Sequence, residues 1–206
     1  MTPLQAAQVC ADTYDQAAQW DHFWAIEDVL VSHRSIDGLN VFAFRGSQRA
    51  VDWLRDAEGW PMWHDRLGFV HAGFLRGLDA VYEAIKGAAG ERNAFVGHSL
   101  GGARARVHAA HFVMSDYPVE ECHVFGSPRP AFANLRRIIE KSGMRHLSWR
   151  NRNDPVPLVP ALLPYWEHTE AYGTFDVPAD PKDLDPLRDH HIAHYVEGAK
   201  RLSTPI

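Results

Sequence analysis

The sequence predicts an α/β fold with a central, mostly parallel but mixed sheet and helices on both faces. Short apolar strand-like segments alternate with stretches of helical periodicity from residue 94 onward, which is typical of parallel strands joined by helices. An earlier strand pair is joined by Asp37-Gly38, a tight-turn dipeptide that adds an antiparallel portion. Because no linker or repeat divides the 206 residues, we expect a single domain over 1–206.

The first half of the chain contains both the helical and the strand pattern of apolar residues. Residues 3–20 have an amphipathic helical pattern, and residues 29–36 and 39–45 alternate as strands. The tryptophan-rich stretch 46–70 is expected to be irregular, with one short helix over 50–56, and apolar residues recur at helical spacing over 74–87.

The second half alternates regularly. We predict strands at 94–97, 122–126 and 146–150, and helices at 100–114 and 132–141. A proline-rich loop follows at 154–164, and a helix over 186–202 closes the chain.

Composition and charge limit the partners and locations that we expect for the protein. The formal net charge is −5 and no basic run is present, so no nucleic-acid partner is expected. Residues 1–15 lack the pattern of a signal peptide, and no apolar run approaches the length of a membrane span. A cytoplasmic location is therefore the default expectation, with secretion by another route left open.

One short segment predicts a nucleophile. Residues 94–103 read AFVGHSLGGA and match the pattern G-x-S-x-G with Gly97, Ser99 and Gly101. An apolar strand precedes the pattern and a helix follows it, which is the context of the nucleophile turn in α/β-hydrolases. The glycines leave room where a Cβ would collide with the neighbouring strand and helix. The sequence therefore predicts a serine hydrolase of the α/β-hydrolase fold, with Ser99 as the nucleophile.

A serine nucleophile needs a base and a group that orients the base. In this fold the chain order is serine, acid, histidine. Asp154 follows the strand predicted at 146–150, so it lies at the carboxyl end of a strand. Among the late histidines, His190 is preferred because it opens the last predicted helix, and the alternatives are His191 first, then His168 and His194.

The tetrahedral intermediate of ester hydrolysis needs donors for its oxyanion. One donor is expected to be the backbone N–H of Leu100, directly after the nucleophile. The other is expected after the strand 39–45, where Gly46 allows close approach and Ser47 offers an N–H and a hydroxyl.

These residues lie within a set of ordered motifs that resembles the class 3 lipases, the fungal-type triacylglycerol lipase family. The resemblance runs from about Val41 to the C-terminus and rests on seven segments: FRGS at 44–47, DWL at 52–54, VHAGF at 70–74, GHSLGG at 97–102, FGSPR at 125–129, RNDPV at 152–156 and DH at 189–190. Several residues depart from the fungal pattern, among them Arg104 and Arg106 after the nucleophile and the wider spacing of the last histidine and tyrosine. In these features the chain is more similar to small bacterial or phage-borne members.

The resemblance implies the triad Ser99, Asp154 and His190, favours His190 over His191, and implies the oxyanion pair Ser47 and Leu100. It also implies that the segment after the oxyanion loop, about residues 50–56, acts as a lid in many relatives. An aromatic cluster is centred on this segment: Trp53, Trp60, Met62 and Trp63. The cluster is interpreted either as an acyl-binding rim or lid, or as core packing under a long loop.

The expected reaction is the hydrolysis of carboxylic esters, either acylglycerols or esters of short-to-medium acyl chains. A phospholipase or another carboxylesterase would use the same machinery, and a non-catalytic lipid-binding module would keep only the fold. No cofactor and no metal are expected, because His190, His191 and His194 stand at no recognised zinc-ligand spacing with a carboxylate. A lipid or small-molecule ester, with transient contact at a lipid–water interface, is the expected partner.

Overall fold

A seven-stranded sheet forms the centre of the protein, in a computed structural model that describes residues 1–46, 60–160, 166–168, 173–178, 180, 182–185 and 187–203. The spatial order of its strands is β1-β2-β3-β6-β7-β8-β9, while β4 and β5 form a separate two-stranded hairpin. The strands in chain order are β1 (His22–Ile26), β2 (Val29–Ile36), β3 (Leu39–Phe44), β4 (Pro61–His64), β5 (Gly68–His71), β6 (Asn93–His98), β7 (Glu121–Phe125), β8 (Arg145–Asn151) and β9 (Gly173–Phe175).

The sheet is mixed, as the sequence predicts. Strands β1, β2 and β3 pair antiparallel, and every pair from β3 through β6, β7 and β8 to β9 is parallel. The turn between β2 and β3 is made by Asp37 and Gly38, both with positive φ (50° and 75°), as a two-residue hairpin turn requires. The carboxyl ends of the parallel strands therefore meet at one edge of the sheet, where loops carry functional groups in this class of fold.

Helices cover both faces. Helices α1 and α6 pack against each other on one face, and α3, α4 and α5 lie on the other. The helices are α1 (Pro3–Asp12), α2 (Ala72–Leu75), α3 (Leu78–Ile85), α4 (Leu100–Val113), α5 (Ala133–Ser142) and α6 (Ile192–Ser203). Among the described residues no helix is both long and apolar enough to cross a bilayer.

Side chains alternate between the two faces of the sheet along each strand, and this produces two apolar clusters, one on each face. In β3, Phe42 and Phe44 point to the face covered by α3 to α5, whereas Val41 and Ala43 point to the face covered by α1 and α6. All four are almost fully buried. A strand that is apolar on both sides is typical of the middle of a sheet covered by helices, and it explains the continuous apolar runs in the sequence.

Several predicted boundaries were wrong. The helix predicted over 3–20 ends at Asp12, where the hydroxyl of Thr13 donates to Cys10 O at 2.7 Å, and strand β1 follows it. The helix predicted over 74–87 is two helices, α2 and α3, because Gly77 between them has φ 68°, outside the helical region. The strand predicted at 94–97 extends over Asn93–His98.

The stretch 46–70 is more regular than its composition predicts, since β4 and β5 form a hairpin within it. The short helix predicted over 50–56 lies outside the described residues. Strand β9 has only three residues and was missed. The last helix begins at Ile192, after a 3₁₀ turn over Arg188–His190, rather than at residue 186.

Candidate active site

Ser99 occupies the sharp turn between strand β6 and helix α4. Its backbone has φ 59° and ψ −132°, a conformation that is unfavourable for a residue with a Cβ. The turn is held by the amide of Ser99, which donates to Phe125 O on the neighbouring strand at 2.9 Å. The carboxyl edge of the parallel sheet therefore presents the serine on a strained turn, as the motif predicts.

The two glycines of the motif are needed for space. A Cβ on Gly97 would lie 2.2 Å from Gly101 O, and a Cβ on Gly101 would lie 2.0 Å from Phe44 O. Both distances are far below van der Waals contact with backbone atoms that cannot move aside. The G-x-S-x-G pattern thus reflects close packing of β3, β6 and the start of α4.

His190 and Asp154 form a buried acid–base pair. His190 Nδ1 lies 2.7 Å from Asp154 Oδ2, and the side chains are 5% and 0% exposed. The other carboxylate oxygen accepts the amide of Val156 at 2.9 Å. With its Nδ1–H donated to Asp154, the neutral imidazole keeps a lone pair on Nε2, which is the atom that a general base uses.

The two atoms expected to exchange a proton are both free. Ser99 Oγ and His190 Nε2 are buried, and neither has a hydrogen-bond partner among the described residues. Buried polar atoms without partners are uncommon and need an explanation. A nucleophile and a base that engage only when substrate is bound would explain both.

A tyrosine hydroxyl adds a further donor to the acid. Tyr195 OH donates to Asp154 Oδ2 and accepts the amide of Asn151 at 3.2 Å. Burial, followed by the charge of Asp154, raises the pKa of Tyr195 well above its usual value, so this hydroxyl keeps its proton. The buried carboxylate of Asp154 therefore accepts hydrogen bonds from a hydroxyl, a ring nitrogen and an amide.

Asn151, the last residue of β8, anchors the turn that carries the base. Its side-chain amide donates to Asp189 O and to Val177 O, both at 3.1 Å, and its Oδ1 accepts the amide of Val177 at 3.0 Å. All three groups belong to segments far along the chain. The fully buried Asn151 thus holds the turn before His190 against the carboxyl end of the sheet.

His98 connects the base to the nucleophile turn. Its ring stacks on the ring of His190 with centroids 4.6 Å apart. Because a carbonyl only accepts, His98 Nε2–H must donate to His190 O at 2.8 Å, which leaves Nδ1 to accept the hydroxyl of Tyr14 at 3.1 Å. Burial, and then the neighbouring His190, lowers the pKa of His98 well below its usual value, so the ring is neutral. The residue next to Ser99 therefore positions His190.

The site where an oxyanion would bind is described in part. Leu100 is the first residue of α4, where helix N–H groups lack acceptors within the helix. Gly46, after β3, lies against the turn: a Cβ on it would be 3.1 Å from Ser99 Cβ and 2.6 Å from His98 O. The next residue, Ser47, lies outside the described residues, so its role stays a prediction.

The predicted aromatic cluster is exposed where it is described. Trp60, Met62 and Trp63 are 83%, 52% and 62% exposed, at and beside strand β4. Core packing is therefore the wrong interpretation for these three side chains, and an acyl-binding role stays a prediction. Trp53 lies outside the described residues.

The alternative histidines have other partners. His191 Nε2 lies 3.1 Å from Asp185 Oδ2 at the surface. His168 Nε2 donates to Pro157 O at 2.5 Å, and burial lowers its pKa to about 3. The ring of His194 lies 6.5 Å from that of His191. Of the four late histidines, His190 is the one that the structure pairs with Asp154.

Four residues of the site were missed, and each had a weak signal in the sequence. Tyr14 lies in the segment predicted as helix. Tyr195 is part of the final histidine-rich stretch, Asn151 closes the strand before Asp154, and His98 is the variable residue of the nucleophile motif. Nothing in the local pattern shows that these side chains meet.

Comparisons with known proteins agree with this architecture. The model of the lipase (class 3) family matches residues 41–163, which is more than half of the chain. The secreted mono- and diacylglycerol lipase A of Penicillium camembertii is 33% identical over 138 residues, covering 62% of this chain and 45% of that protein. The secreted mono- and diacylglycerol lipase 1 of Fusarium solani is 31% identical over 158 residues, covering 70% and 46%. The chain spans just under half the length of these curated relatives.

Solved structures show the same fold. The triacylglyceride lipase of Rhizomucor miehei superimposes with a TM-score of 0.66 at 20% identity, covering 84% of this chain and 76% of that one. A mutant form of the Penicillium cyclopium lipase MDLA superimposes with a TM-score of 0.65 at 20% identity, covering 98% and 88%. Together with the strained serine turn and the family match, these likenesses lead to one conclusion: the chain has the α/β-hydrolase fold and belongs to the class 3 lipase family.

Proposed function

We propose that the protein is a serine hydrolase that cleaves carboxylic esters, with Ser99 as nucleophile, His190 as general base and Asp154 as the group that orients His190. The observation that carries this proposal is the buried 2.7 Å contact between His190 Nδ1 and Asp154 Oδ2, together with an unpartnered serine on a strained turn. We further propose that all of these groups belong to one domain over 1–206.

The reaction follows from this arrangement. His190 Nε2 removes the proton of Ser99 Oγ as the oxygen attacks the ester carbonyl carbon, and Asp154 stabilises the imidazolium. The tetrahedral intermediate collapses, and the alcohol leaves with the proton held by His190. Water, activated by the same nitrogen, then attacks the acyl-enzyme and releases the carboxylic acid.

The oxyanion needs donors that are in place before the reaction. The N–H of Leu100 and a donor from Ser47 are the proposed pair. The close approach of Gly46 to the nucleophile turn supports this pair, because a Cβ on Gly46 would lie 3.1 Å from Ser99 Cβ. Each such donor contributes roughly 2.7–4 kcal/mol to stabilising the transition state.

Acylglycerols, or esters with short-to-medium acyl chains, are the proposed substrates. The curated relatives are named mono- and diacylglycerol lipases, and a serine protease triad forms the catalytic centre of a triacylglycerol lipase that shares the fold.

The relatives are also named as secreted, which favours an extracellular site of action over the cytoplasmic default. Immunoblots of cell and culture fractions from the native host would distinguish the two locations.

The two atoms that would react, Ser99 Oγ and His190 Nε2, are buried in this structure. Ser99 is 1% exposed and His190 is 4% exposed, so an ester reaches them only after covering groups move. We propose that a lipid surface drives this opening, with the exposed apolar side chains at β4 as the contact: Trp60, Met62 and Trp63. Activity against a sparingly soluble ester should then rise abruptly above its solubility limit. A smooth saturating curve across that limit would contradict an opening driven by lipid.

The deciding experiment for the reaction uses a fluorophosphonate probe and a series of p-nitrophenyl esters. The wild-type protein should be labelled at Ser99, and Ser99→Ala should lose labelling and about 10⁴-fold or more of kcat. Ser142→Ala, which removes a hydroxyl at the end of α5, is the control and should behave as wild type. Equal labelling of wild type and Ser99→Ala, or no labelling of either, would support a non-catalytic lipid-binding module instead.

A further inference from the structure

A surface cleft lies at the opposite end of helix α4 from Ser99. It has a volume of about 710 Å³ and is bordered by β4, α3 and the last turn of α4. Its charged lining is mainly acidic, with one arginine: Asp65, Asp79, Glu83, Asp116 and Arg66. The proposed ester hydrolysis uses none of these residues.

Three metal-ligand side chains from separate elements converge in this cleft. His64 ends β4, Asp79 lies in the first turn of α3, and His111 lies in the last turn of α4. One ligand atom from each side chain lies within 4.8 Å of the other two. Two imidazoles and one carboxylate, with an open side to solvent, form a donor set typical of zinc bound by three protein ligands and a water.

The ring of His111 turns its Nε2 toward Asp79, and its side chain is only 7% exposed. Its Nε2 lies 3.9 Å from Asp79 Oδ1, which is too far for a hydrogen bond. Two ligands about 2.0–2.1 Å from one tetrahedral zinc lie roughly 3.4 Å apart. The three ligand atoms, now within 4.8 Å of one another, must therefore move closer together when the ion binds.

The surrounding charge favours a cation. Arg66, the basic residue of the lining, donates to Met114 O at 3.1 Å and to Ser115 Oγ at 2.9 Å within the same cleft. Lys86, next to the cleft, is paired with Glu83 at 2.6 Å. With four carboxylates and one arginine in its lining, the cleft is acidic where the 85% exposed carboxylate of Asp79 meets the two imidazoles.

We propose that His64, Asp79 and His111 bind a zinc ion, with water as the fourth ligand. His64 Nδ1 accepts the amides of Arg66 and Leu67 at 3.3 Å each, so binding through Nε2 moves the ring proton to Nδ1 and opens these two long contacts. This cost places the expected dissociation constant at about micromolar, weaker than that of closed four-ligand sites.

The proposed role of this ion is structural. His111 is 12 residues after Ser99 along a continuous helix, which puts the site about 18 Å from the nucleophile. The ion would join the β4–β5 hairpin to α3 and α4. Since Trp63 directly precedes His64, the ion would also fix the hairpin that carries the exposed aromatic side chains.

Calorimetric titration of untagged, metal-free protein with zinc chloride tests the site. Wild type should bind one equivalent, and Asp79→Asn and His64→Gln should each bind at least about tenfold more weakly. Glu83→Gln is the matched control, because it removes the same charge from the same helix and cleft without removing a ligand; it should bind within about twofold of wild type. Thermal melting of each metal-free variant confirms that it is folded.

Amide hydrogen exchange gives a second measurement that is independent of activity. Zinc should slow exchange at residues 62–64 in wild type and leave Asp79→Asn unchanged. Three results would overturn the proposal: no stoichiometric binding by wild type, wild-type affinity in both ligand variants, or an equal loss in Glu83→Gln. None of them bears on labelling of Ser99, so the proposed hydrolase activity is tested separately.

Discussion

At the scale of single residues, the feature that organises the site is the carboxylate of Asp154. It is fully buried and accepts hydrogen bonds from His190 Nδ1, Tyr195 OH and the amide of Val156. A buried charge is tolerated only when its lone pairs are satisfied, and here a ring, a hydroxyl and an amide satisfy them. Their directions also hold the imidazole of His190 in one orientation.

Tyr195→Phe tests this arrangement. The change removes one donor from Asp154 and leaves the buried amide of Asn151 without an acceptor. We expect the free energy of unfolding to fall by about 1–3 kcal/mol and kcat to fall with little change in KM. Urea denaturation and initial rates with a soluble p-nitrophenyl ester measure the two effects. Unchanged stability and unchanged kcat would show that the hydroxyl supports neither the acid nor β8.

Some of these site residues can be predicted from the sequence and others cannot. Ser99 and its glycines form a local pattern, because the strained turn constrains neighbouring positions. Asp154 and His190 follow from chain order and strand ends. Tyr195 could not be predicted, since its contact with Asn151 joins positions 44 apart and depends on how α6 packs on the sheet. His98 was passed over because its role depends on stacking with a residue 92 positions away.

At the scale of elements, glycines set how closely the strand ends approach the site. Gly126 follows β7 and has φ 56°. A Cβ there would lie 2.8 Å from both Asp154 Oδ2 and Tyr195 OH, and 2.9 Å from His190 Cε1. The turn after β7 therefore forms the floor beneath the acid and the base.

Gly126→Ala should displace this pair. A misplacement of about 1 Å in a catalytic group can cost about 10²-fold, so we expect at least that loss in kcat/KM with a soluble ester. Gly143→Ala is the matched control, because Gly143 also has positive φ (73°) but a Cβ there meets nothing within 4 Å. It should lose about 1 kcal/mol of stability from backbone strain and keep its activity. Equal activity losses in both variants would contradict a local effect on the pair.

The elements themselves are predictable where the periodicity is strong. The strands β2, β3, β6, β7 and β8 and the helices α4 and α5 lie close to their predicted places. The β4–β5 hairpin and the three-residue β9 were missed because tertiary pairing, rather than propensity, stabilises such short strands. The break between α2 and α3 depends on the backbone of Arg76 (ψ 128°) and Gly77 (φ 68°), which a periodic apolar pattern conceals.

At the scale of the whole molecule, buried histidines make stability depend on pH. Burial is the main cause that lowers the pKa of His98, His108 and His146 well below the ordinary value of 6.5. In each case the folded protein disfavours the protonated ring. Above pH 6.5 both folded and unfolded chains hold these rings neutral; below it, the unfolded chain binds protons that the folded chain does not.

The free energy of unfolding should therefore fall as the pH drops below about 6.5, by up to about 1.4 kcal/mol per pH unit for each such histidine. Urea denaturation at about pH 7.5 and about pH 5.5 measures the loss. His108→Leu should lessen it, because this ring packs on Phe44 and neither of its nitrogens has a partner among the described residues. A urea midpoint that is equal at both pH values would contradict the prediction.

The chain of contacts from Tyr14 through His98 to His190 has a consequence for dissecting the protein. It joins a residue just after α1 to a residue just before α6, so both terminal segments help to assemble the reaction centre. The region that matches the family model, residues 41–163, contains Ser99 and Asp154 but not His190. A fragment trimmed to that region would keep the nucleophile without its proposed base, and removing the first 20 residues would take away the Tyr14 hydroxyl that holds His98 against His190.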